Sequence, residues 1–288
     1  MRPSVGIVCV LPLVRPFVHT FSFLVSYANL KNSLQPQRIT AFDVSPDSTR
    51  FATGFLDGSV FLYPISALPT SSHPPQSLTP APSTRVVARP HLSTTTHLQF
   101  FPSSRVLLSA GADFSLSILP ADLPDPSTTP STNSSSTASV RITPVRTLRG
   151  HTRPITATLI LGLGRNVLSA SLDGTLKLWD VSNSALLLSI PAPGAQPILS
   201  LVFGPPTEHE HEHDSDHNPI PDPPPYHEHA TIYAGLQNGS VASFDLRTHS
   251  ARILVPPPAS SSPTTTNGGV SSLAYNEQHH LLAAGSSR

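Results

Sequence analysis

Helical periodicity is missing from this sequence: no window carries apolar residues convincingly at the 3.6-residue spacing of an amphipathic helix. Thiols are nearly absent as well. A single cysteine, Cys9, excludes an intramolecular disulfide framework and fits a reducing compartment. Charge is scarce, at 12% of residues against a usual share of about one quarter. The 17 basic and 17 acidic residues cancel and no basic run stands out, so electrostatic binding to nucleic acid is not indicated. Nor is there an unbroken apolar run of the ~20 residues that a membrane helix requires. Residues 1–30 are apolar but interrupted by Pro12, Arg15 and Pro16. Arg2 followed by Val5–Val14 has the outline of a signal peptide. The remainder of the chain reads as intracellular, so residues 1–30 are taken as an atypical segment, either a mis-assigned start or a replaced first repeat.

What the chain has in excess is proline, 33 residues in 288, roughly twice the average share. Much of it falls in four low-complexity runs: 66–82, 122–139 and 256–269, rich in Pro, Ser and Thr, and 207–230, rich in His, Glu and Pro. Such segments cannot bury enough apolar surface to order themselves and are expected to be disordered inserts. Between them the sequence repeats. RFATGFLDGSVFLYPI (50–65), RVLLSAGADFSLSILPA (105–121) and NVLSASLDGTLKLWDV (166–181) align without gaps around an aspartate in a tight turn, and IYAGLQNGSVASFDL (232–246) has Asn238 there. Each reads as strand, turn, strand, with Asp-Gly or Asn-Gly supporting a tight hairpin in three of the four. A further apolar strand precedes each, at 39–46, 97–104, 155–162 and 198–205. A fifth pair, VSSLAYN then HLLAAGSS, runs to the end of the sequence.

The third unit closely resembles the WD-repeat family: Gly150-His151 opens it and Trp179-Asp180 closes it. The resemblance implies an all-β propeller, with four recognisable blades and a truncated fifth across 31–288. It also implies a structural tetrad in which the Trp179 indole bonds Ser169, Ser169 bonds His151, and His151 bonds Asp173. The second unit keeps His91, Ser109 and Asp113 at the same offsets, with Leu119 for tryptophan. The first keeps Thr53 and Asp57, with Gln35 and Tyr63 at the other positions; the fourth keeps only an aromatic, Phe244, before Asp245. A Ser/His/Asp set also invites a catalytic reading. A nucleophilic serine must be exposed beside an oxyanion hole, whereas Ser169 lies mid-strand in an apolar run, so no catalytic residue is assigned.

The turn residues are 56, 60 and 65 apart, longer than the repeat of about 40–45 residues usual for the family, and the inserts account for the excess. With blade strands lettered a to d from the inside out, the first two inserts fall between c and d and the third between a and b. These connections open on one face. The opposite face carries the b–c turns and d–a loops, including the run 256–269, and is the freer one for a rigid partner. Its candidate contact residues are Arg153, Leu56, Ala112, Leu172 and Gln237. The histidines at 209, 211, 213, 217, 227 and 229 could bind Zn²⁺ or Ni²⁺ loosely but lack defined spacing and rigid support, so no metal and no cofactor is expected. The sequence stops where a b strand should reach its turn. A ring left open exposes strand edges, and the chain alone is expected to be unstable or to aggregate.

Three segments, 97–118, 150–187 and 233–247, resemble the proteasomal ATPase-associated factor family, whose fungal members are assembly chaperones of the proteasome regulatory-particle base. Phe-Phe-Pro-Ser at 100–103 and Gly-Arg-Asn-Val at 164–167 are the most specific steps. The resemblance implies a non-enzymatic, cytoplasmic and nuclear protein that binds the C-terminal domain of a proteasomal ATPase subunit. It implies no nucleic acid, membrane or small-molecule partner. The alternative is a WD-repeat subunit of a pre-ribosome (rRNA) processing complex, whose members carry a segment comparable to His-Thr-x-Pro-Ile-Thr at 151–156.

Overall fold

The computed structural model describes residues 38–65, 86–123, 140–205, 231–257 and 268–286. Runs of β-branched and aromatic residues bounded by turn residues fold into nineteen strands among these residues; the one helical turn is at Pro193–Ala195. No helix among them is long and apolar enough to cross a membrane.

The strands form antiparallel meanders. The first blade comprises β1 (Ile39–Val44), β2 (Arg50–Phe55), β3 (Val60–Pro64) and β4 (Val86–Ala88). The second comprises β5 (Thr95–Phe100), β6 (Val106–Gly111), β7 (Ser115–Pro120) and, after a one-strand detour described below, β9 (Arg146–Arg149). The third runs β10 (Ile155–Leu161), β11 (Asn166–Ser171), β12 (Thr175–Asp180) and β13 (Ala185–Pro191). The fourth runs β14 (Ile198–Phe203), β15 (Thr231–Leu236), β16 (Val241–Asp245) and β17 (Ser250–Val255). A two-stranded sheet, β18 (Val270–Asn276) with β19 (Leu281–Ser286), follows. The innermost strands lie side by side in the order β1, β5, β10, β14, β18.

Strand alternation decides how the blades stack, because successive side chains point to opposite faces of a sheet. Leu107 faces the first blade, where Ala52, Leu62 and Val86 meet it, while its neighbour Leu108 faces the third blade with Ile155 and Trp179. In the third blade Val167 looks back to the second and Leu168 looks forward to Ile232, Ala234 and Phe244 of the fourth. Both faces of a blade are therefore buried, which is why β6 and β11 read as nearly continuous apolar runs.

Around the axis the register repeats. Each of the five innermost strands carries an irregularity directly after its first paired residue, skipping Thr40, Thr96, Thr156, Leu199 and Ser271. Side chains at or near these positions bond the neighbouring inner strand. Thr40 Oγ1 donates to the Thr95 carbonyl at 2.6 Å, Thr156 Oγ1 to Ile198 at 2.8 Å and Ser200 Oγ to Val270 at 3.0 Å. Between β5 and β10 the link is His97 Nδ1 to Thr158 Oγ1, 2.7 Å. Burial pulls the His97 pKa down to about 4, so the ring is neutral there and can share a hydrogen with the hydroxyl.

The detour is a feature that the sequence pattern did not anticipate. β8 (Val140–Arg141) leaves the second blade and pairs in parallel with β4, as a fifth strand on the outer edge of the first blade. The stretch between the c and d strands of the second blade thus caps its neighbour's edge before returning, and a covered edge strand cannot recruit another chain. Runs 66–82 and 207–230, and most of 122–139 and 256–269, lie outside the described residues, as do residues 1–30.

Candidate functional site

The best-defined polar constellation lies between the second and third blades. Trp179 Nε1 donates to Ser169 Oγ at 2.8 Å, Ser169 Oγ meets His151 Nε2 at 2.7 Å, and His151 Nδ1 meets Asp173 Oδ2 at 2.8 Å. The geometry fits one proton arrangement: indole N–H to serine oxygen, serine O–H to Nε2, and Nδ1–H to carboxylate. That arrangement needs a neutral imidazole. Burial lowers the His151 pKa, Asp173 pulls the other way, and nearby Lys177 adds to the lowering. Burial alone would raise the Asp173 carboxyl. Hydrogen bonds from Thr175 and His151, and the N–H of Thr152 at 3.1 Å, more than offset it and leave the group below its usual value. Ser169 has no exposed surface, and its oxygen already accepts the indole proton. The serine is neither accessible to a substrate nor free to attack one.

The second set is the same chain with one link fewer. His91 Nδ1 to Asp113 Oδ1 is 3.0 Å and His91 Nε2 to Ser109 Oγ is 2.8 Å. Leu119 takes the tryptophan position and packs with Leu107 toward the first blade, so Ser109 receives no indole proton. In the first blade, buried Thr53 Oγ1 has no hydrogen-bond partner among the described residues, Gln35 lies outside them, and Tyr63 stacks on Phe51 with ring centroids 4.9 Å apart. Asp57 Oδ1 accepts the Ser59 hydroxyl at 2.5 Å. In the fourth, Phe244 is fully buried and Ala234 stands where the other blades have a hydroxyl.

Sequence reasoning missed a group that recurs in all four turns. Ser59, Ser115, Thr175 and Ser240, each two residues past the turn Asp or Asn, donate both N–H and Oγ–H to its side chain. The signal was legible as Asp-Gly-Ser, Asp-Phe-Ser, Asp-Gly-Thr and Asn-Gly-Ser. These bonds hold the turn acid in place while its other oxygen, in the second and third blades, binds the d–a loop.

The face formed by the b–c turns and d–a loops carries the five candidate contact residues. Leu56, Arg153 and Gln237 are exposed, whereas Ala112 and Leu172 are half-buried. Three of these turns share a clamp. Ala112 N–H donates to the Thr94 carbonyl, Leu172 N–H to Pro154 and Gln237 N–H to Pro197, at 2.8, 3.0 and 2.9 Å. Each clamp draws a turn against the preceding loop. Other exposed groups here, Arg89, Leu92, Phe114 and Arg149 among them, were not singled out from the sequence, although both arginines stand two residues before a tetrad-position histidine (Arg-Pro-His and Arg-Gly-His). Among the described residues no group of three or more His, Cys, Asp or Glu could hold a metal ion; the histidine-rich run lies outside them.

Comparison with curated proteins finds no match. Residues 28–63 and 142–180 match a family model described as WD domain, G-beta repeat. The second stretch begins just before β9, the outer strand of the second blade, and ends with β12. The sequence repeat is therefore offset from the structural blade by one strand, so each complete unit stitches two blades together. The four-stranded meanders, the buried Trp–Ser–His–Asp chain and these two matched stretches together show WD repeats folded as blades of a β-propeller.

Proposed function

We propose that this protein is a non-enzymatic binding scaffold that acts in assembly of the proteasome regulatory-particle base, holding the C-terminal domain of an ATPase subunit in the cytoplasm and nucleus. WD repeats mark protein-interaction scaffolds in general; the finer reading comes from the resemblance to the proteasomal ATPase-associated factor family. One contact supports it. The two most family-specific steps, Phe-Phe-Pro-Ser at 100–103 and Gly-Arg-Asn-Val at 164–167, touch one another: a Cβ on Gly164 would lie 2.3 Å from the Phe101 ring. Gly164 has φ of 100°, so both its conformation and its closeness to Phe101 call for glycine. Two steps foreign to the generic repeat thus act as one packing unit between the second and third blades.

The test is capture of purified C-terminal domains of the proteasomal ATPase subunits by the immobilised full chain. One domain should bind, and Arg153→Glu combined with Leu172→Glu should weaken it about tenfold or more, as expected when contact positions are given the opposite charge or polarity. Binding of none of the domains removes the proposal. Co-purification with pre-ribosomal particles instead supports the rRNA-processing alternative suggested by residues 151–156.

A further inference from the structure

Four arginines beside the a–b and c–d connections are ion-paired, whereas Arg141 and Arg146 in the second blade's c–d stretch are exposed and make no ion pair among the described residues. On the face of a–b and c–d connections, Arg50 pairs with Asp47 and Asp122, Arg105 with Asp122, Arg165 with Asp180, and Arg247 with Asp245. On the b–c and d–a face, Arg89, Arg149 and Arg153 are exposed and make no ion pair among the described residues. The aspartates near them are turned inward. Asp113 takes up His91, the Ser115 hydroxyl and the Leu92 N–H, and Asp173 takes up the equivalent groups of the third blade. Asp57 is held by Ser59, and Arg89 lies close enough to help lower its carboxyl after burial and those hydrogen bonds have acted.

The same face exposes large apolar side chains: Leu92 at 88%, Leu56 at 50% and Phe114 at 41%. Short contacts make the patch continuous. Leu92 N–H binds Asp113, next to Phe114; Thr94 Oγ1 donates to the Leu56 carbonyl at 3.3 Å; and Arg149 stands opposite Ser115 in the β7–β9 ladder. Phe114 is also in a costly conformation. Its φ is 70°, at the turn position where the other blades have Gly58, Gly174 and Gly239 with φ of 80°, 76° and 87°. A bulky residue there costs on the order of 1 kcal/mol or more, and an exposed ring recovers little of it by burial.

We propose that this face, over the first three blades, binds an extended acidic segment of a protein partner. Its carboxylates would meet Arg89, Arg149 and Arg153, and its apolar side chains would meet Leu56, Leu92 and Phe114. The inference rests on the scaffold reading above and specifies the chemistry of what the scaffold takes. A protein segment fits better than a polynucleotide because apolar and cationic groups alternate across the patch. A phosphate backbone would engage the guanidiniums and leave Leu56 and Leu92 in water.

The experiment uses the full chain and a fluorescein-labelled peptide of four Glu-Leu-Glu triplets, with Gln replacing Glu in a matched control, read by anisotropy. The Glu peptide should bind, weaken about tenfold between roughly 50 and 300 mM salt, and exceed the Gln peptide by a similar factor. The triple variant R89E/R149E/R153E should lose at least tenfold, while R141E/R146E, away from this face, should bind normally. Phe114→Gly should raise the melting midpoint yet weaken the peptide several-fold, a pairing that a fold defect cannot produce. Equal binding of Glu and Gln peptides, or an unaffected triple variant, overturns the proposal. A poly-uridine oligonucleotide that displaces the peptide and binds Phe114→Gly and Leu92→Ser undiminished assigns the face to nucleic acid and overturns it equally. Peptide binding without capture of any ATPase domain removes the proteasome reading alone. Capture without peptide binding removes this inference alone.

Discussion

Ser169 is where a residue-scale account is most exacting. Its hydroxyl serves two buried groups, Trp179 Nε1–H and His151 Nε2, whereas Ser109 serves only His91 Nε2. Deleting a hydroxyl strands whatever it satisfied, at about 1–3 kcal/mol for each buried polar group. Ser169→Ala is therefore expected to cost about 2–4 kcal/mol and Ser109→Ala about 1–2, read from urea midpoints at constant slope. Equal losses would mean that the indole bond adds nothing to the network. The His, Ser, Asp and Trp spacing was fully visible in the sequence. The hydroxyls at 59, 115, 175 and 240 were visible too, but their importance was not, since a serine after a glycine turn looks merely polar until its acceptor is placed.

At the scale of the element, the turns and their loops behave as one unit. Gly174 has φ of 76°, and a Cβ there would lie 2.7 Å from the Ala195 carbonyl oxygen, a backbone atom of the following loop. Gly162 has φ of 50° with nothing within 4 Å of the same added carbon. Both positions penalise alanine for conformation, but only the first for space. Gly162→Ala should cost about 1 kcal/mol and Gly174→Ala about 2–3, because the loop must move as well. Thermal melts of the two variants decide it, and a cost at Gly174 no larger than at Gly162 would show that the loop gives way freely. Strand β8 marks the limit of pattern reading at this scale. Two residues, Val140 and Arg141, carry no periodicity, and only the open edge of β4 makes a strand of them.

For the molecule as a whole, buried neutral histidines make stability depend on pH. His91, His97 and His151 all have pKa values below the ordinary 6.5, through burial in each case, with His97 at about 4. The unfolded chain takes up these protons as pH falls through 6.5 while the folded chain does not, so it binds more protons and stability drops. Asp113 and Asp173, held below 3.8 after their hydrogen bonds overcome burial, add their loss only as pH falls below that value. The melting midpoint should therefore decline steadily between about pH 7 and pH 4.5, before the carboxylates titrate. His97→Gln, which can still bond Thr158, should flatten the decline. A midpoint constant across that range would rule the histidines out as the cause.

The sequence by itself determined the unit: strand, turn and strand around an acid, the four tetrad positions, and the lack of helical periodicity, because each is written in local spacing. Only the tertiary structure decided how units join, and the reason is that stacking acts between faces and edges rather than along the chain. It placed Leu107 and Leu108 in different interfaces, brought Phe101 against Gly164, bonded inner strand to inner strand through Thr40, His97 and Thr156, and borrowed Val140–Arg141 for a neighbour's edge. It also paired Arg50, Arg105, Arg165 and Arg247 with aspartates and left Arg89, Arg149 and Arg153 exposed on the opposite face. Ion pairing depends on which loops the blades bring together, and no single repeat contains that information.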